Sequence, residues 1–426
     1  MRSMKGKRGI TLIALAVTIV VILILAGVTI DVTLGENGIL NKSKETANRM
    51  NNLVKEDESE LNELLNELNK TMESNWNSNI EIPEDNTIPD PGADKPTKVE
   101  DVTEIQKETI QVEDEYGNKV TIPKGFEVVE EEGTAVPEGI VIQDKDGNQF
   151  VWIPVGRVYK DNTGENYSDI QLGRYTFNSS NGKPKLIQAA YTKENSKNYE
   201  KQVKLLDGFY YIEYCTRGNP DGIASSGDDG LNAIARDLTE FVESVRNYEG
   251  YYLGRYEASY GSGNSVIDYM PLSKISTGTP RNNKKTTLVH GMLWNFVTQI
   301  EAANISRNMY DKDYDVGVES DLVNSYAFDT AIVFIQEMGN SNYANLTSVN
   351  VGVINTGMTK DKVCNIFDLS QNCAEWTTEY CTEIENGTVR TIDSVGENFC
   401  TRYRYNYPAI NKNKFTSFRV ILYIIE

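Results

Sequence analysis

Asn365-Ile366-Phe367-Asp368-Leu369-Ser370-Gln371-Asn372-Cys373-Ala374-Glu375-Trp376-Thr377 is the most informative run in this chain of 426 residues. Three shorter blocks flank it in order. They are Phe150-Val151-Trp152-Ile153-Pro154-Val155, Tyr252-Leu253-Gly254-Arg255-Tyr256-Glu257-Ala258-Ser259 and Ser417-Phe418-Arg419-Val420. The element signals around them are mixed. Val141-Ile142-Gln143 and Phe150-Val151-Trp152-Ile153 enclose Asp144-Lys145-Asp146-Gly147-Asn148, which predicts a hairpin with an Asp-Gly turn. Phe209-Tyr210-Tyr211 and Tyr251-Tyr252-Leu253 are aromatic strand candidates. Helices are expected over 231–247, 292–307 and 326–338. Strands and helices follow no regular βαβ alternation, so the expected class is α+β. Runs of Gly, Asn, Asp and Ser at 217–222 and 225–230 predict large loops.

Taken together, the four blocks resemble the formylglycine-generating-enzyme, or sulfatase-modifying-factor, domain over residues 120–426. That resemblance implies a fold related to C-type lectins. The family usually has glycine where Gln371 and Ser417 stand. It also implies calcium at Asn372 and Glu375, because in the family this loop supplies a carboxylate, an amide oxygen and backbone carbonyls, the hard oxygens calcium prefers. The other reading of Glu375 is a hydrogen-bonded pair with an arginine, and both readings stand at this point. Oxygenase members of the family hold copper(I) with a Cys-x4-Cys pair in an arginine-rich segment near the C-terminus. The matching segment here, 397–405, holds only Cys400; Cys381 and Cys373 lie outside it. The expectation is therefore a domain without enzyme activity. An extracellular oxygenase of the formylglycine-generating type is the alternative.

What remains is binding. Arg402-Tyr403-Arg404-Tyr405-Asn406-Tyr407-Pro408-Ala409-Ile410-Asn411-Lys412-Asn413-Lys414-Phe415 is rich in tyrosine, basic residues and asparagine, which are common on recognition surfaces. In the lectin-like fold the matching stretch faces the ligand. Arg402, Tyr403, Arg404, Tyr405, Asn406, Tyr407, Asn411 and Asn413 are the candidate ligand residues, for an extracellular protein or glycan. A tyrosine-rich rim of the core is the other reading. On a regular strand the three tyrosines would share one side, and Arg402 and Arg404 the other. The five cysteines, Cys215, Cys364, Cys373, Cys381 and Cys400, are read as core thiols with at most one bridge, for example Cys381–Cys400. His290, the one histidine, is assigned to packing rather than catalysis.

The N-terminus carries an address. Residues 10–30 contain no charged side chain, and a helix of that length spans roughly 30 Å, the thickness of a bilayer core. Arg2, Lys5, Lys7 and Arg8 precede it, which places that end in the cytoplasm and the rest of the chain outside. Lys7-Arg8-Gly9-Ile10-Thr11-Leu12-Ile13 resembles the leader of type IV prepilins, in which a dedicated peptidase cuts after the glycine. The resemblance implies cleavage between Gly9 and Ile10 and pilin-like partner subunits. Ala14 stands where that family usually has glutamate. A plain membrane anchor is the alternative, and a structural pilus subunit is a further reading of the whole chain. Apolar residues from Met50 to Met72 recur near helical spacing, which predicts an amphipathic stalk over 31–75. Four prolines and scattered acids over 76–105 predict an extended linker before a globular domain at 106–426.

Charge narrows the function classes. There are 42 Lys and Arg against 62 Asp and Glu, a net charge of −20. Such a chain repels phosphates, so nucleic acid is excluded as a general partner. One histidine rules out any centre built from two.

Overall fold

Apolar alternation on either side of Asp144 produces the expected hairpin. Strands β1 (Phe126–Val128), β2 (Val141–Asp144) and β3 (Gln149–Pro154) form an antiparallel meander, with Val141 opposite Val151 and Ile142 opposite Phe150. Asp144 closes the turn, accepting hydrogen bonds from the Asp146 and Asn148 amides and the Asn148 side chain. The same loop occurs thirty residues earlier (114 to 144), where Asp114 accepts from Tyr116, Asn118 and the Asn118 side chain. Gly117 and Gly147 take φ of 84° and 77°, which a side chain would oppose.

The computed structural model describes residues 96–425 apart from 206, 214–237, 265–267, 311–313, 347–352, 383, 385 and 391–399. The expected leader, membrane helix and stalk, the expected loops at 217–230 and Cys215 lie outside the described residues. No helix among the described residues is long and apolar enough to cross a membrane.

Two six-stranded sheets dominate the described fold, beside five two-stranded ribbons. β4 (Val203–Lys204) and β5 (Tyr210–Glu213) begin the second sheet, while β6 (Gly250–Gly254) and β7 (Val318–Leu322) return to the first. β8 (Ala374–Cys381), β9 (Asn386–Arg390), β10 (Arg404–Tyr407) and β11 (Thr416–Phe418) complete the second, and β12 (Val420–Ile424) completes the first. The first sheet runs β7-β12-β6-β3-β2-β1; the second runs β4-β5-β8-β9-β10, with β11 parallel to β8. The last crossing between the two sheets, from β11 to β12, is made by a single residue, Arg419.

Three described α-helices cover these sheets. α1 (Leu238–Tyr248) packs on β6 and β12, α2 (Gln299–Asn308) on β7, and α3 (Ser325–Met338) on the hairpin Gly173–Phe177/Pro184–Ala189 and on β8. Helix and strand are mixed, with strand dominant, so the fold is α+β. α2 starts later than the apolar run from Met292 predicts. Trp294 donates instead to the Ala258 carbonyl, and Thr298 and Glu301 form a capping box that begins the helix. The domain also starts earlier than expected. Val99 and Val102 are buried in the core, and Val128 donates to the Val102 carbonyl at 3.0 Å. The compact unit is Asp94–Glu426, so the last residues assigned to the linker belong to the fold.

Candidate functional site

Three of the four sequence blocks meet at Arg419. Its Nε donates to both Glu375 oxygens at 3.1 Å, and one terminal nitrogen donates to Glu375 Oε1 at 2.6 Å. The remaining hydrogens reach the Gly254 carbonyl at 2.8 Å and the Phe367 carbonyl at 2.9 Å. The Arg419 and Glu375 side chains are sealed from solvent. Parallel pairing of β8 with β11 sets Glu375 beside Ser417 and so brings the carboxylate to the crossing arginine. Asn372, at φ 69°, turns its amide hydrogens to Glu257 and accepts from the Ile354 amide at 2.9 Å. Glu257 also accepts from the Cys373 amide at 2.9 Å. Burial, with Asp368 and Glu375 close by, holds the Glu257 carboxyl well above the usual range.

Calcium needs several oxygens turned to one point. Glu375 gives both of its oxygens to a guanidinium, and Asn372 presents hydrogens to a carboxylate. The pair does not fit the calcium expectation; the arginine pair is the reading the geometry matches. Among the described residues, no group of three or more His, Cys, Asp or Glu is arranged to hold a metal ion.

The tyrosine-rich segment divides into anchors and a ledge. Arg404 is an anchor, contrary to its expected ligand role. Its Nε donates to Glu379 at 2.8 Å and its terminal nitrogen to Asp329 on α3. Arg390 contacts the other Asp329 oxygen at 2.6 Å. Arg174 bridges Glu379 and Glu213, each at 3.0 Å. Three guanidinium groups and three carboxylates thus form a buried layer between α3, the 173–189 hairpin and the second sheet. Burial opposes ionisation of Glu379, but Arg404, Arg174 and Arg390 outweigh it and hold that carboxyl below the usual range. Asn406 is also an anchor, donating to the Tyr211 hydroxyl at 2.9 Å. Asn413 accepts from the Phe415 amide and the Thr416 hydroxyl, which shapes a turn rather than a recognition surface.

Tyr403 and Tyr405 form the ledge, at 40% and 42% exposure. The Tyr405 and Tyr407 ring centroids are 4.8 Å apart, as the strand alternation predicts for side chains on one side. Tyr407 is half-buried and meets Trp376 edge-on, so it belongs partly to the core rim. Arg402 does not join Arg404. It donates to the Asn345 side chain, with its guanidinium 4.9 Å from the Tyr403 ring centre. Asn411 is half-exposed, its amide donating to the Pro408 carbonyl.

No disulfide joins the four described cysteines, so the Cys381–Cys400 bridge is not formed. Burial pushes the Cys364 thiol up to about 12. His290 is exposed rather than packed, with Nδ1 2.7 Å from the Gly261 carbonyl. Sequence reasoning missed Arg174, Glu213, Asp329, Glu379 and Arg390. Their partners lie mostly far along the chain, and no local pattern marks them. The repeated Asp-x-x-Gly-Asn loop at 114–118 and 144–148 was a legible signal. No protein-family model matches the chain, and comparison with curated proteins and with solved structures returns no significant match.

Proposed function

We propose that this chain is a membrane-anchored, pilin-like surface protein that displays a non-catalytic, C-type-lectin-like binding domain. The ligand is an extracellular protein or glycan, and it is held on the ledge of Tyr403 and Tyr405 with Arg402 beside it. One observation carries this reading. Solvent-facing Tyr405 on β10 and Tyr403 just before that strand are separated by Arg404 and followed by Asn406, both tied into the fold by hydrogen bonds. A ledge fixed in this way loses little conformational freedom when it binds, which favours affinity. The N-terminal basic-glycine-apolar junction supports export and anchoring, with prepilin peptidase and pilin-like subunits as partners.

A glycan and protein screen with the full chain identifies the ligand. Tyr403→Ala and Tyr405→Ala are then measured by calorimetric titration. Interface aromatics often contribute about 2 kcal/mol each, or about thirtyfold in affinity. Exposed positions shift stability by only about 0.5 kcal/mol. Tyr407 is left intact because its ring touches the core. Unchanged affinity in both variants moves the site off the ledge. Oxidation of a cysteine peptide by the purified chain would overturn the non-catalytic reading in favour of the oxygenase.

A further inference from the structure

Arg281 carries a charge that no described carboxylate pairs with directly. The other deeply buried arginines face carboxylates: Arg174, Arg255, Arg390, Arg404 and Arg419. Arg281 is only 8% exposed and has no ion pair with any described residue. Its Nε approaches Asn295 Oδ1 at 3.4 Å, one terminal nitrogen donates to the Asn295 carbonyl, and the Asn295 side chain returns a hydrogen bond to the Arg281 carbonyl at 2.7 Å. The other terminal nitrogen has no hydrogen-bond partner among the described residues and is not among the sealed, unpartnered atoms. Glu301 is the acid that acts on Arg281. Its carboxylate is already held by Lys412 at 2.7 Å and by the Thr298 amide at 2.8 Å. Burial lowers the Arg281 pKa to about 10, the sign of a guanidinium short of counter-charge.

The floor of this site is also unusual. The guanidinium lies 5.5 Å from the ring centre of Phe296, which takes φ of 55°. A bulky residue in the left-handed region is strained, by about 1–3 kcal/mol, and persists only where its surroundings hold it. Phe296 is held by its amide, which donates to the Asn413 carbonyl at 3.1 Å, and Asn295 donates to the Lys414 carbonyl at 2.9 Å. A clamp, a flat floor and one open edge remain.

We propose that Arg281 is an anion-recognition residue whose open guanidinium edge takes a carboxylate group of a ligand, above the Phe296 ring. The planar fork matches a carboxylate in a way that a lysine ammonium does not. Lys284 and Lys285, exposed on the same loop, draw anions towards it in a chain of net charge −20. This site is independent of the tyrosine ledge, and either can fail alone.

The test is titration of the full chain with sodium acetate and sodium glucuronate against sodium chloride at constant ionic strength, read by thermal shift and calorimetry. Both carboxylates should bind saturably at one site. Arg281→Lys keeps the charge and loses the fork, and should weaken binding about tenfold or more. Arg281→Met should abolish binding while leaving the melting temperature equal or higher, because an unbalanced buried charge is removed. An equal response to chloride and carboxylate overturns the proposal, as does unchanged binding in the Lys and Met variants. Binding of inorganic sulfate without acetate would overturn the planar-carboxylate assignment.

Discussion

Replacing Arg419 with Met tests the reading of the inter-sheet crossing. Arg419 satisfies both oxygens of Glu375 and the carbonyls of Gly254 and Phe367 inside the domain. The variant strands a buried carboxylate, and breaking one side of a buried pair costs about 3–5 kcal/mol. Each stranded carbonyl adds about 1 kcal/mol or more. The total, about 5–7 kcal/mol, is a large share of the stability of a domain, commonly about 5–15 kcal/mol. Glu375→Gln should cost less, about 3 kcal/mol. It keeps an acceptor for the guanidinium, and Glu257 and Asp368 remain as neighbouring acids that can take up its charge. Urea unfolding followed by the buried fluorophores Trp152, Trp294 and Trp376 should rank wild type above Glu375→Gln and that above Arg419→Met. The double variant should cost less than the sum of the singles. Arg419→Met within about 1 kcal/mol of wild type, or more stable than Glu375→Gln, would refute this reasoning.

Three further outcomes are expected. Leader processing should leave Ile10 as the mature N-terminus by mass spectrometry; an intact Met1 would remove the pilin-like part of the proposal. Limited proteolysis should cut before Pro96 and spare 99–105, because Val99 and Val102 are in the core; early cuts at 99–105 would restore the longer linker. Glu257 holds its proton to higher pH folded than unfolded, so the folded state binds more protons above about pH 4.5 and stability falls as pH rises through that window. Glu257→Gln should flatten the slope of unfolding free energy between about pH 5 and 8, and an identical slope would show that Glu257 does not titrate there.

Much of the local structure was legible in the sequence, because its causes are local. Asp144, Gly147 and Asn148 close their own hairpin, the aromatic runs at 210–211 and 251–253 form strands, and 326–338 keeps helical spacing. Mixed periodicities were enough for an α+β class. The pairing of Tyr405 with Tyr407 followed from a period of two along a strand. Boundaries were less legible. Apolar residues at 292–297 read as helix until the Thr298–Glu301 cap shows where the helix begins.

Roles that depend on a partner were decided only by the tertiary structure. Arg404, Asn406 and Asn413 have the composition of a recognition surface, yet Asp329, Glu379 and Tyr211 claim the first two and a local turn claims the third. Glu375 looked equally suited to calcium and to an arginine until the β11–β12 crossing placed Arg419 against it. No local pattern marks Arg281, and only folding buries it without a directly paired carboxylate among the described residues. A sequence counts charges and sets which way neighbouring side chains alternate. It does not say which distant side chain will stand within 3 Å, because that distance is set by how the two sheets and α3 pack together.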